Sequence, residues 1–227
     1  MGASSSCSPS SSDTNVVEFA WYLQFFIDRF YASVPLNRTI LTGLPNASSV
    51  DYSDNIRGIQ QKNRLGVRAV QQVGTKVPGF ETPKCNYTIP KAMDSKSYLK
   101  KAASLEADLC GAFIGLSGYT QKPEISFLLT RLAAEHAAHA SWLGSHGMPV
   151  FFQPNSTSLI PAYSPDYVLK SGSKPGMLGQ YLHSCGHRPS GPCGKALTIG
   201  SLTANLTSPQ VSSSVAMASS SATPTSS

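Results

Sequence analysis

The stretch RLAAEHAAHASWL, Arg131–Leu143, carries an apolar helical repeat with Glu135, His136 and His139 set inside it. Leu132, Ala133 and Trp142 continue the stripe of Ile125, Leu128 and Leu129, at the three- and four-residue steps of one helix face. Carboxylate and imidazole groups at such spacing serve either as metal ligands turned into a helical core or as polar residues on a wet face. Taken alone, His136 reads as a surface or boundary histidine. Glu135 and His139, four residues apart, share a face.

Three further helices follow from the same periodicity. The first covers about 15–33, with Phe19, Tyr22, Leu23, Phe26, Ile27 and Phe30 on one face and Pro35 as its stop. The second covers about 53–73, with Ile56, Ile59, Leu65, Ala69 and Val73 and then Gly74. The third covers 95–119, with Tyr98, Leu99, Ala102, Leu105, Leu109, Ala112 and Phe113. The fourth, 123–146, contains the opening stretch. A segment of about 20 residues, TKVPGFETPKCNYTIPKAMD, separates the second and third helices, whereas the third and fourth are joined tightly. Two helix pairs linked by a long crossover give an all-α fold, a ferritin-like four-helix bundle with an irregular C-terminal extension. In that extension DYVLKSG and MLGQYLHSCG read as short helices.

Composition divides the chain. Residues 1–14 and 201–227 are rich in small polar residues and are expected to be disordered, since they bury too little apolar area to offset chain entropy. Residues 15–152 form the bundle and 153–200 the irregular extension. The net charge of +6 is scattered without a basic run, which argues against nucleic-acid binding. No apolar run approaches the ~18 residues of a membrane span. Patterns for nucleophile elbows, phosphate loops and zinc proteases are absent.

Five N-x-[ST] triplets, at Asn37, Asn46, Asn86, Asn155 and Asn205, together with the Ser/Thr-rich tail, favour a secreted or cell-surface glycoprotein. The N-terminus shows no apolar signal segment. Its MGASSSC start fits the competing pattern of a cytoplasmic protein N-myristoylated at Gly2. Association with a cell wall or cell surface stays open, and the residues name no ligand or partner. Of five cysteines, Cys110 lies in a helical apolar pattern, whereas Cys85, Cys185 and Cys193 lie in Pro- and Gly-rich sequence and are the disulfide candidates. Cys85 with Cys185 is the expected pair. CGHRPSGPC (Cys185, His187, Cys193) matches no standard zinc spacing.

Several segments carry a resemblance to a known family. LQFFIDRFY (Leu23–Tyr31), LEADLCGAF (Leu105–Phe113) and LAAEHAAHASWLGSHGMPVFF (Leu132–Phe152) resemble the first-, third- and fourth-helix signatures of the ferritin-like domain family. VGTKVPGFETPKCNYTIP and YLHSCG resemble the crossover and a later cysteine segment of secreted fungal stress-response members, with plant desiccation-related proteins more distant.

A working dinuclear centre in this fold takes a Glu from each of two helices and a Glu-x-x-His pair from each of the others. Matched by position, the resemblance implies Gln24 in place of the first Glu. Lys62 and Leu65 replace the second-helix pair, Glu106 is retained, and Glu135 is retained with Ala138 replacing its His. These substitutions imply a degenerate, metal-free site in a non-enzymatic protein, with no cofactor. The Lys62 ammonium would neutralise one carboxylate while the Gln24 amide donates to the other. The alternative is residual iron or manganese on Glu106, Glu135 and His139, serving metal binding or oxidation.

Overall fold

The computed structural model describes residues 12–33, 44, 51–147, 159–169, 178–183 and 188–191. Four long helices carry the fold: α1 Ser12–Ala32, α2 Tyr52–Gly74, α3 Ser95–Ser117 and α4 Pro123–Gly147. A short helix, α5 Pro165–Leu169, and two two-residue strands, β1 Asn86–Tyr87 and β2 Leu182–His183, complete the described elements. The expected all-α bundle is present. α1 begins earlier than its stripe indicates, because Asp13 is buried and accepts a hydrogen bond from Thr120 at 2.7 Å. Asp13 and Thr14 thus belong to the bundle and not to the leader.

Local chemistry places the helix starts. Asp51 caps α2 by accepting from the Asp54 N–H. Asp94 and Ser97 form a reciprocal capping box at α3. Pro123 opens α4, where an N–H would lack a partner anyway.

α1 is buried on nearly every side. Val16, Phe19, Tyr22, Leu23, Phe26, Ile27, Phe30 and Tyr31 are all closed to solvent, as expected of a helix that is apolar all round. It packs along α2 and also meets α3, while α3 packs along α4. Phe30, Tyr31 and Tyr98 make stacked and edge-on contacts at the α1–α3 seam. Helix α2 is amphipathic, burying Ile56, Ile59, Asn63, Gly66 and Val70 and turning its charges outward.

Among the described residues, the extension is fastened to the bundle at two main places. Residues 161–163 lie directly on α3, and the Tyr163 N–H donates to Gly111 O at 2.9 Å. A Cβ at Gly115 would stand 1.9 Å from the Tyr163 carbonyl oxygen, so only glycine permits this approach. The second fastening is antiparallel pairing of β2 with β1, with Asn86 opposite His183 and Tyr87 opposite Leu182. Tyr181 stacks on Phe26, which ties the ladder to α1. DYVLKSG supplies α5 as expected. The described part of MLGQYLHSCG is instead a turn and a strand, because its main chain pairs with the crossover.

Candidate functional site: a buried polar network

Each of the four long helices sends polar side chains into the bundle centre. Gln24 and Tyr31, seven residues apart, come from the same face of α1. Asn63 comes from α2 and Glu106 from α3. His136 and His139, three residues apart on α4, share the facing stripe. All these side chains are buried, and Glu106 is 0% exposed.

The hydrogen bonds define the donors and acceptors. Gln24 Nε2 donates to the main-chain oxygen of Asn63 at 3.1 Å and to Asn63 Oδ1 at 3.0 Å. A main-chain carbonyl only accepts, so this end of Gln24 must be its nitrogen. Asn63 Nδ2 donates to Glu106 Oε1 at 3.0 Å, and the Tyr31 hydroxyl donates to the same oxygen at 2.8 Å. Gln24 Oε1 is left to accept from His136 Nε2 at 2.9 Å. His136 Nδ1 stands 2.5 Å from Glu106 Oε2. Both ring nitrogens of His136 therefore face oxygen acceptors, and with Glu106 ionised the ring is an imidazolium.

Electrostatics support the ionised carboxylate. Complete burial pushes the Glu106 carboxyl up. The charge and hydrogen bond of His136, joined by those of His139, outweigh burial and hold it well below the usual carboxylate range. Burial, reinforced by the Glu106 charge, pushes the Tyr31 phenol upward and keeps it a donor. Phe113 stacks on His136 at 5.2 Å with planes 6° apart, a contact that favours a cationic ring. A buried pair of opposite charges, fully hydrogen-bonded, fills the middle of the bundle.

The structure moves the expected site by one residue on two helices. Lys62 does not reach the centre. It is 60% exposed on the α2–α4 seam and lies 2.8 Å from Glu135 Oε1, without the alignment of a hydrogen bond. Glu135 is 36% exposed, and Leu65, at 58%, faces outward with Ala138. The inward positions are Asn63 and Gly66 on α2, and His136 and His139 on α4. Gln24 and Glu106 are central, as their matched positions imply. The cation beside Glu106 is the His136 ring and not the Lys62 ammonium, because helical phase turns Lys62 to water. His136 is a core residue, contrary to its reading as a surface or boundary histidine.

The signal for this phase lay in the sequence. Ile56, Ile59, Asn63, Gly66 and Val70 recur at alternating three- and four-residue steps. Ile125, Leu129, Leu132, His136, His139 and Leu143 do the same, and all are buried. Lys62, Leu65, Glu135 and Ala138 fall one place outside those stripes.

A dinuclear metal centre does not fit these residues. Of the six inward positions, Gln24, Asn63 and Gly66 supply neither carboxylate nor imidazole. Gln24 also fills the space beside Gly66, where a Cβ would be 2.6 Å from its Nε2. Glu106, His136 and His139 offer ligand atoms within 4.8 Å of one another, the donor set of a mononuclear site. However, ligands sharing an ion at bonds of about 2.0–2.2 Å stand roughly 2.9–3.5 Å apart. The 2.5 Å contact between Glu106 and His136 is a direct hydrogen bond instead. Glu106 and Glu135 lie on opposite nitrogens of His139, at 3.3 Å from Nδ1 and 3.6 Å from Nε2.

The cysteines and sequons are only partly described. Cys85 is a half-buried free thiol and Cys110 a buried one. Cys185 and Cys193 lie outside the described residues, as do Asn37, Asn46, Asn155 and Asn205. Asn86 is exposed, on β1. Among the described residues, no helix is long and apolar enough to cross a membrane.

Four long helices around a polar centre define a ferritin-like bundle with an altered core. The sequence profile of the ferritin-like domain family matches residues 12–147. The chain belongs to that family. No match is found among curated proteins.

Proposed function

We propose that this protein is a non-enzymatic member of the ferritin-like family in which a side-chain ion pair replaces the inorganic cations. The single observation that carries this reading is the 2.5 Å contact between His136 and Glu106, with the far side of the ring held by Gln24. A cation already lies against the Glu106 carboxylate, so iron or manganese would have to displace it and break a satisfied network. The bundle then acts as a scaffold rather than a redox centre.

The residues quoted above for the crossover and the cysteine segment support a secreted, stress-response or developmental role of fungal type. The five glycosylation triplets support the same compartment. The Cys85–Cys185 disulfide rests on the sequence alone, since Cys85 is a free thiol in the structure and Cys185 lies outside the described residues.

Elemental analysis of protein from iron- and manganese-supplemented cells tests the reading, together with an assay of ferrous-ion oxidation. The expected result is neither metal retained in stoichiometric amount and no oxidation above buffer. Retained iron or manganese that disappears in Glu106→Gln would establish the competing reading. That reading is one ion on Glu106, His136 and His139, favoured by the convergence of both Nδ1 atoms on Glu106 Oε2.

A further inference from the structure

Arg57, Gln61, Arg64, Arg68 and Gln71 follow one another along α2 at three- and four-residue steps, and all five are exposed. At about 100° per residue they fall within roughly 40° of one line along the helix. That line runs opposite the buried stripe of Ile56, Ile59, Asn63, Gly66 and Val70. With a rise of about 1.5 Å per residue, the row is about 21 Å long. The three arginines form no basic run in the sequence, and only the helix gathers them on one face.

The carboxylates near the row do not neutralise it. Asp54 stands 3.5 Å from Arg57 and Asp28 stands 3.6 Å from Arg64, with those arginine side chains 59% and 53% exposed. Solvated pairs of this kind contribute little, and each leaves most of a guanidinium fork open. Arg68 has no ion-pair partner among the described residues. Within α2 the cations Arg57, Lys62, Arg64 and Arg68 are opposed by Asp54 alone.

We propose that this outer face of α2 docks a linear acidic polysaccharide, a chain of uronate residues laid along the helix. Arginine forks take carboxylates two bonds at a time. Gln61 and Gln71 set an amide donor and acceptor beside the arginines, which suits the hydroxyl groups between one carboxylate and the next. Single-stranded nucleic acid would call for aromatic stacking platforms, and the one aromatic residue of α2, Tyr52, is buried at its start. A lipid surface would call for apolar side chains to insert, and Leu65 is the only large one that α2 exposes. This face stands apart from the buried ion pair and does not depend on it.

Calorimetric titration of the full chain with polygalacturonate, in salt of about 0.15 M, tests the docking face. The expected result is saturable binding that weakens at least about tenfold when Arg57→Gln, Arg64→Gln and Arg68→Gln are combined, since three charge-assisted contacts are lost. Lys91→Gln, Lys96→Gln and Lys100→Gln together remove the same charge from exposed positions outside α2. That second variant should change the affinity by less than about twofold, because distant exposed charges are screened. Equal weakening in the two variants would reduce the effect to net charge and overturn the site, as would no binding by the native chain. Tighter binding of RNA or of phosphatidylserine vesicles, lost in the arginine variant, would overturn the polysaccharide as occupant. All six residues are exposed, so neither variant disturbs the core.

Discussion

Two polar pairs bridge the bundle within one residue of each other, and they differ in almost every physical respect. Inside, Asn63 of α2 and His136 of α4 hold Glu106 in a network with no exposed atom of that carboxylate. Outside, Lys62 and Glu135 face each other across the same two helices with solvent around them. The inner pair has lost its hydration and must be satisfied by protein groups, so removing one partner strands a charge. The outer pair is screened, and either partner left alone is rehydrated.

The strongest test of this contrast is Glu106→Gln, which leaves the His136 imidazolium without its counter-ion. It should destabilise the fold by about 3–5 kcal/mol, read from urea unfolding. Replacing Glu106 and His136 together with leucine should cost less than the sum of the single changes, since no charge is then stranded. Costs that simply add would mean that the two groups are not coupled.

Next in size is Gly115→Ala, which puts a methyl group against the Tyr163 main chain. A loss of about 1–3 kcal/mol is expected, as for other overpacked sites. Increased protease cleavage in 159–169 would localise the damage to the extension.

Acidity separates the regions further. Glu106 titrates below its ordinary value in the folded state. Its stabilisation is therefore full above the unfolded value of about 4.5 and is lost as pH falls through the depressed folded value. Melting curves in acid should fall more steeply for the native chain than for Glu106→Gln. Asp108 runs the opposite way, because burial raises it to about 7 despite the nearby Lys101. Its favourable contribution is complete below its unfolded value near 3.8 and is lost as pH rises through about 7. Asp108→Asn should therefore raise the melting temperature at pH 8 and have little effect at pH 4.

The smallest effect belongs to the outer pair. Lys62→Ala should change stability by only about 0–1 kcal/mol, less at high salt. A loss comparable with that of Glu106→Gln would show that the seam pair carries the core after all.

Much of the fold could be read from periodicity. Phe19, Tyr22, Phe26 and Phe30 mark α1, Asp94 and Ser97 mark the start of α3, and Pro123 marks that of α4. The candidate site was legible in part. Gln24 and Glu106 lie in the bundle centre, where the match set them. The wrong residue was chosen on α2 and α4 because the match was anchored on Glu135, the chemically recognisable group. The apolar stripe was the better guide. A helix turns by about 100° per residue, so an error of one position exchanges a core side chain for a surface one.

The sequence alone determined that four amphipathic or apolar helices would form and pair, because side-chain periodicity and caps act over a few neighbouring residues. It also determined that the ligand set of a dinuclear centre was incomplete. Only the tertiary structure decided that His136 would be the buried cation, that Lys62 would stay in water, and that the extension would lie on Gly111 and Gly115. Those outcomes depend on the rotation of each helix about its axis and on which surfaces meet. The summed packing of the whole bundle sets both, and no single segment encodes them.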